Sequence, residues 1–529
     1  MKYLSLIILN MILLSLSSCM NQSSEEPSGH TAPIQYSNFY EPPLFKDSER
    51  IQKIGEALRE SHKHYSEAAA YHHLPGLAYG LVVDDSLVFF GAKGSSNMET
   101  STSVTEHSLF RIASMTKSFT AMAILKLRDE GKLSLWDPAC HYIPELEDLT
   151  YLSGDATPLS IFNLLTMTAG FPEDNPWGDR FLDISDDILM KQVEEGVSFS
   201  TVPSLHYEYS NLGYGLLGHI VTTVSGIAYQ EYITENILHP LGMMDTYWEY
   251  SKAPKELLAM GYRWEDELWV PEPLLHDGAF GAMGGLITSI LDFSKYISFH
   301  LSAWPPRSDP ETGPVKRSTL REMHMMNNPG YYADSDRFGD NTVPIMRGYG
   351  FGLVAMKDHD GVVEVGHNGG LPGFGSSYMF YPQYGIGIMA FGNLTYVGGT
   401  VRTANYNVMK ELIRKDLFIP RSLPVSDILD ERKEQVMQLL LDWAPELEKE
   451  IVAANLYLDI SREKRMEEAR KLLKQIGKIL ETGPVIPENQ LRGSFIIKGA
   501  RQNLKVYFTL TPEAEPKVQW LSLDLVPGK

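Results

Sequence analysis

The sequence predicts an α+β fold: an antiparallel sheet flanked by helices, a mainly helical subdomain, and a small helix-and-strand domain at the C-terminus. Three observations carry this. Strand-like stretches occupy Gly76–Gly94, with a short run at Ser108–Ile112, and return from Tyr349 onward, so the sheet must be assembled from distant parts of the chain. The residues between are dominated by helical period, with Gly and Pro clusters marking the turns. Beyond residue 424, amphipathic helices are followed by short alternating strands, a second and smaller helix-on-sheet pattern.

The chain has 529 residues, more than one hydrophobic core usually serves. Its composition, 43% hydrophobic and 21% charged, is that of a globular protein. A formal net charge of −21 argues against nucleic acid and anionic membrane surfaces as partners.

The N-terminus is a different material. Lys2 precedes an apolar run from Leu4 to Leu16 and then Ser17-Ser18-Cys19. That run is too short to cross a bilayer but suits the apolar region of a secretory signal. Leu16-Ser-Ser-Cys19 resembles the bacterial lipobox, which implies a signal peptide over 1–19, lipidation of Cys19, and an exported lipoprotein in the periplasm or at the cell surface. The membrane partner would then be reached through the lipid. The only other cysteine is Cys140, so the expected fold needs no disulfide. Residues 20–47, polar and proline-containing, read as a tether.

Taken in order, Ile51 to Ala70 has helical period. His62, His64, His72 and His73 crowd this region, but 62 and 64 do not share a helix face, so a solvated helix surface is expected. A β-hairpin turning at Asp84-Asp85-Ser86 follows. Ser108–Ile112 is strand-like and leads into an apolar helical segment, Phe110-Arg-Ile-Ala-Ser114-Met-Thr-Lys117-Ser-Phe-Thr-Ala-Met-Ala. This places Ser114 at a helix N-terminus, where free N–H groups favour a developing anion. Lys117, three residues on, shares its face. A serine needs a neighbour to take its proton, and an amine one turn away can do so. A second Ser-x-x-Lys, Ser461–Lys464, opens a charged helix and is better read as an N-cap.

Tyr209-Ser-Asn211 precedes Gly213 and an apolar helical run, which fixes it in a loop held by the core. A second Tyr-x-Asn, Tyr36–Asn38, lies in the tether. A helix is expected over Ile290–Leu301, and an irregular insertion over Ala303–Arg347. Sheet character returns at Tyr349–Met356 and Val362–Gly370, then in a hairpin of Ser376–Tyr381 and Ile386–Phe391. A helix over about Thr400–Arg414 closes a domain spanning 48–415. Asp416–Pro424 reads as a linker. In the accessory domain, 425–529, Val506, Phe508 and Leu510 share one strand face. It carries no catalytic constellation.

Ser114-x-x-Lys117, Tyr209-x-Asn211 and the strand triplet His367-Asn-Gly369, in this order, resemble the serine β-lactamase and penicillin-binding-protein superfamily, in particular its class C-like branch with esterases and D-amino-acid peptidases. The framing sequences Gly131-Lys-Leu-Ser-Leu-Trp-Asp-Pro138 and Pro240-Leu-Gly-Met243 are similar too. The resemblance implies a β-lactamase/transpeptidase-like sheet. It makes Ser114 the acyl-accepting nucleophile, Lys117 and Tyr209 the proton-handling pair, and Asn211 a substrate-orienting amide. His367 joins the catalytic set, Gly369 ends the triplet as part of the substrate-binding set, and the backbone N–H groups of Ser114 and Gly370 would form the oxyanion hole. No metal or organic cofactor is implied.

Which of Lys117 and Tyr209 is the base stays open at this point. Bringing a phenol from ~10 to ~7 needs about 4 kcal/mol, and an ammonium ~4 Å away at an effective dielectric of ~20 supplies about that much. Two departures from the family pattern matter. His367 stands where β-lactamases carry lysine, and a neutral imidazole binds a substrate carboxylate less well. Met167 stands where relatives often have histidine, a change expected to affect packing. An esterase, amidase or peptidase acting on small acyl or D-amino-acid substrates is therefore preferred over β-lactam binding or hydrolysis. A non-catalytic binding or sensory protein on this scaffold, with an unknown protein partner, is the alternative. No Gly-x-Ser-x-Gly elbow occurs, which disfavours an α/β-hydrolase.

Overall fold

The computed structural model describes residues 34–328, 330–335 and 342–527. Cys19 and the apolar run before it lie outside the described residues.

The main sheet has nine strands: β1 Gly76–Val83, β2 Ser86–Asn97, β3 Thr102–Ser103, β4 Tyr331–Ser335, β5 Val343–Tyr349, β6 Val354–Asp358, β7 Val363–Leu371, β8 Phe374–Tyr381 and β9 Ile386–Gly392. Their spatial order is β3-β2-β1-β9-β8-β7-β6-β5-β4. The first hairpin joins the last one directly, Leu77 opposite Gly392 through Val83 opposite Ile386, all antiparallel. Strand alternation divides two cores. Ala78 and Val82 face the core that holds Phe119, Phe293 and Tyr296. Leu77, Tyr79, Leu81 and Val83 face the helices Arg50–Ala57, His62–Tyr71 and Gly398–Arg414. With both faces covered, β1, β8 and β9 are buried along their whole length, so a lone-strand reading shows near-continuous apolar character.

Three local expectations change. The helix expected over 51–70 breaks at Leu58–Ser61, where both residues are fully buried and Ser61 donates its hydroxyl to Glu411. The histidines there are not simply solvated. His62 pairs with the Tyr79 hydroxyl at 2.7 Å, His64 with Glu411 at 2.8 Å, and His73 stacks on Trp264. The stretch 303–347 is not only insertion: it holds a helix, Arg317–Met323, and the strands β4 and β5. Pro344 masked β5 in the sequence, yet it sits near the sheet margin, where a residue without an N–H is tolerated.

Leu44 bridges to Ser422, and the guanidinium groups of Arg50 and Arg421 lie 3.6 and 4.3 Å from the ring of Phe45. The stretch read as tether is therefore docked from Leu44 on. The C-terminal region has its own core, in which Val506 and Phe508 are fully enclosed beneath helices Asp427–Asp442 and Arg462–Ile476. Ser461 accepts the Lys464 N–H and caps the second of these, as expected of the decoy motif. That helix, expected from the sequence over Arg462 to Leu480, ends at Gly477 (φ 79°), and Ile479–Thr482 is a strand.

Candidate active site

The segment carrying Ser114 begins with a two-residue strand, Phe110–Arg111, and then makes a tight 3₁₀ turn over Ala113–Thr116. An α-helix, Lys117–Asp129, continues from it. Ala113 takes φ 52°, a left-handed conformation that an alanine adopts at a cost of order 1–3 kcal/mol. The strained residue turns the chain so that Ser114 lines a cleft also bordered by Asn175, Asp179, Tyr209, His367, Gly369, Gly370 and Tyr396.

Lys117 is fully buried beneath Ser114. Its Nζ lies 3.1 Å from Ser114 Oγ, 2.7 Å from Asn211 Oδ1 and 3.0 Å from the Met283 carbonyl. Burial pushes the Lys117 ammonium down to about 7, against the opposing pull of Asp179 and Asp174. This has a direct structural reading. A neutral amine has two N–H donors and one lone pair. The two carbonyl oxygens can only accept, so they take both donors and leave the lone pair facing the serine hydroxyl. The ring face of Tyr209 lies 4.9 Å from the same nitrogen and favours the ammonium that forms when a proton arrives.

Tyr209 is in the opposite condition. Burial raises its phenol well above the usual range, with the Ser114 hydrogen bond pulling the other way. At neutral pH it is a proton donor beside Ser114. Burial thus holds the phenol neutral and loosens the proton on the amine.

Asn211 opens helix Asn211–Ser225, whose N-cap Ser210 accepts the Gly213 N–H. Fully buried, it spends both ends of its amide on the protein, Oδ1 on Lys117 and Nδ2 on Asn175 Oδ1 at 2.7 Å. It therefore positions Lys117 and does not border the cleft, whereas Asn175 and Asn368 do. Asp174 accepts the N–H groups of Asn211 and Leu212 at 2.7 and 2.8 Å, placing a carboxylate on the positive end of the helix. Met167 packs below this loop, its sulfur accepting the Ser210 N–H at 3.3 Å.

His367 and Gly369–Gly370 lie on β7. Strand β6 pairs with β7 only as far as Gly366, so the edge beyond it borders the cleft. His367 Nδ1 faces the Asn368 carbonyl at 2.5 Å, which fixes the proton on that nitrogen and leaves Nε2 to accept from Tyr349 at 3.1 Å. Burial, followed by the nearby Lys117, pushes the imidazole down to about 3. It stays neutral with both nitrogens committed, a cleft wall with neither a charge for a carboxylate nor a free proton acceptor. Gly369 is required by close approach: a Cβ there would meet the Ile112 carbonyl at 2.3 Å. Ser114 and Gly370, the two proposed oxyanion donors, line the same cleft.

The sequence reading missed Asp174, Asn175, Asp179 and the Met283 carbonyl. Asp-Asn-Pro at 174–176 was the available signal, a turn-forming cluster inside a helical region.

The family described as Beta-lactamase matches residues 62–412. Protein flp of Staphylococcus aureus is 28% identical over 376 residues, covering 69% of this chain and 67% of that protein. Beta-lactamase-like protein 2 of Dictyostelium discoideum is 32% identical over 241 residues, 44% of this chain and 43% of that one. The octameric penicillin-binding protein homologue from Pyrococcus abyssi superposes with a TM-score of 0.57 at 22% identity, covering 88% of this chain and 98% of its own, a likeness of fold. The matched segment covers more than half of the sequence and contains the whole cleft, and the chain belongs to the beta-lactamase family, in the superfamily of serine β-lactamases and penicillin-binding proteins with a serine hydrolase scaffold.

Proposed function

We propose that the chain is a serine hydrolase that forms an acyl-enzyme on Ser114 and acts on small esters or amides. The observation that carries this reading is the Lys117 amine, 3.1 Å from Ser114 Oγ with its other two contacts made to carbonyl oxygens. Lys117 takes the hydroxyl proton as Ser114 Oγ attacks the substrate carbonyl carbon. The oxyanion is held by the Ser114 and Gly370 N–H groups, donors worth roughly 10²–10³ in rate each. Collapse expels the alkoxide or amine, which is protonated from Lys117, directly or relayed through the Tyr209 hydroxyl, so that the amine is neutral again. Water, deprotonated by the same amine, then attacks the ester and releases the acid. The neutral His367 supports preferring uncharged acyl groups over carboxylate-bearing β-lactams.

Intact mass after exposure to a fluorophosphonate tests this. Wild type is expected to gain one adduct and Ser114→Ala none. Equal labelling of both would assign the nucleophile elsewhere, and an unlabelled but folded wild type would favour a binding protein on this scaffold.

A further inference from the structure

A second cavity, of about 600 Å³, shares no lining residue with the Ser114 cleft. One segment walls the two apart: Asn175, Pro176 and Asp179 line the cleft, whereas Glu173, Asp174 and Trp177 line the second cavity. The end of helix Asp186–Glu194 and the turn after it form another wall. Phe171, Trp177, Val197 and Leu212 give it an apolar lining, the usual character of a small-molecule site. The Trp177 ring packs on Phe181 and edge-on against Phe280, with centroids 5.0 and 5.9 Å away, yet the residue stays 45% exposed. Three carboxylates border the same space, Glu173, Asp174 and Glu195, and none of the described residues lining it is a lysine, arginine or histidine. Neither Glu173 nor Asp174 is ion-paired among the described residues. Glu195 has only Lys191, 3.8 Å away in an exposed pair of small worth. Asp174 accepts from the Asn211 and Leu212 N–H groups and the Ser210 hydroxyl, so its charge is met by neutral donors and, more remotely, by Lys117. An anion is repelled from this cavity. A cation finds uncompensated carboxylates and an indole, the ring that attracts cations best.

We infer that this cavity is an accessory binding site for small organic cations, an ammonium carried on an aromatic or alkyl body, separate from the Ser114 cleft. The body covers the apolar lining, and the ammonium lies among Trp177 and the three carboxylates. The inference goes beyond the hydrolase reading and does not depend on it, because binding is measured without turnover.

The test is calorimetric titration with 2-phenylethylammonium and with 2-phenylethanol, two probes of one shape that differ in charge. The ammonium is expected to bind at least tenfold tighter, about 1.4 kcal/mol. Equal affinities, or no binding of either probe at millimolar concentration, would overturn the inference. Three variants locate the site. Val197→Trp fills the cavity and is expected to weaken the ammonium at least tenfold; an unchanged affinity in the folded variant would overturn the assignment. Glu173→Gln combined with Glu195→Gln alters only exposed carboxylates, and it carries the test where Val197→Trp does not fold. It is expected to shrink the charged-to-neutral ratio roughly threefold or more, and an unchanged ratio would count against the inference in the same way. Gly399 lines the Ser114 cleft with open space where a Cβ would stand, so Gly399→Trp obstructs the cleft alone. It is expected to leave the affinity unchanged. Loss of binding there would put the cation in the cleft and remove the accessory site.

Discussion

Replacing Lys117 with methionine is expected to slow acylation of Ser114 by roughly 10²–10⁴-fold, the range a positioned general base supplies. The thioether fills the volume but offers no lone pair of comparable basicity. Two acceptors, Asn211 Oδ1 and the Met283 carbonyl, lose their donor at the same time. Pre-steady-state labelling measures the effect, and a loss under tenfold would assign the proton to another group. The same variant changes the pH dependence of stability. Wild-type Lys117 has a folded pKa of about 7, below the ordinary 10.5, so between those values the unfolded chain binds more protons. Stability from this group therefore rises with pH from about 7 towards 10.5 and is lowest below 7. Denaturant melts of Lys117→Met should lack that rise.

Gly369→Ala is expected to act through distance. The new Cβ would sit 2.3 Å from the Ile112 carbonyl, 2.3 Å from Ser376 Oγ and 3.0 Å from Ala113 Cβ. Two of these three belong to the turn that holds Ser114, so β7 and that turn must separate. Overpacking of this kind costs typically 1–3 kcal/mol. A displacement of ~1 Å between nucleophile and oxyanion donors costs on the order of 10² in rate. Gly154→Ala is the control, because a Cβ there meets nothing within 4 Å. If Gly369→Ala kept both its melting midpoint and its labelling rate, β7 would not be what sets the cleft width.

Much of this was legible from residues because the chemistry is local. Ser114 and Lys117 are one turn apart, and their pairing follows from helical spacing alone. Tyr209 and Asn211 were placed by the apolar helical run that follows the motif. The sheet order was also foreseeable in outline, since strands at the two ends of the domain leave no other partner for each other. What could not be read was burial. Whether the amine or the phenol is the base depends on how far each is desolvated, and that is set by elements far apart in the chain, Met283 among them. For the same reason Asn211 passed for a substrate contact: nothing in Tyr-x-Asn says that the loop at 174–179 closes over it. Strand β5 was hidden by Pro344, a residue tolerated only because of where the strand lies in the sheet.

The most direct test of Lys117 as a neutral base is the rate of Ser114 labelling by a fluorophosphonate as a function of pH. The expected profile rises with slope one and levels off with a single ionisation near 7, the value burial gives Lys117. A rate independent of pH across that range, or one rising only above about pH 10 as an ordinary lysine or a phenol requires, would contradict it.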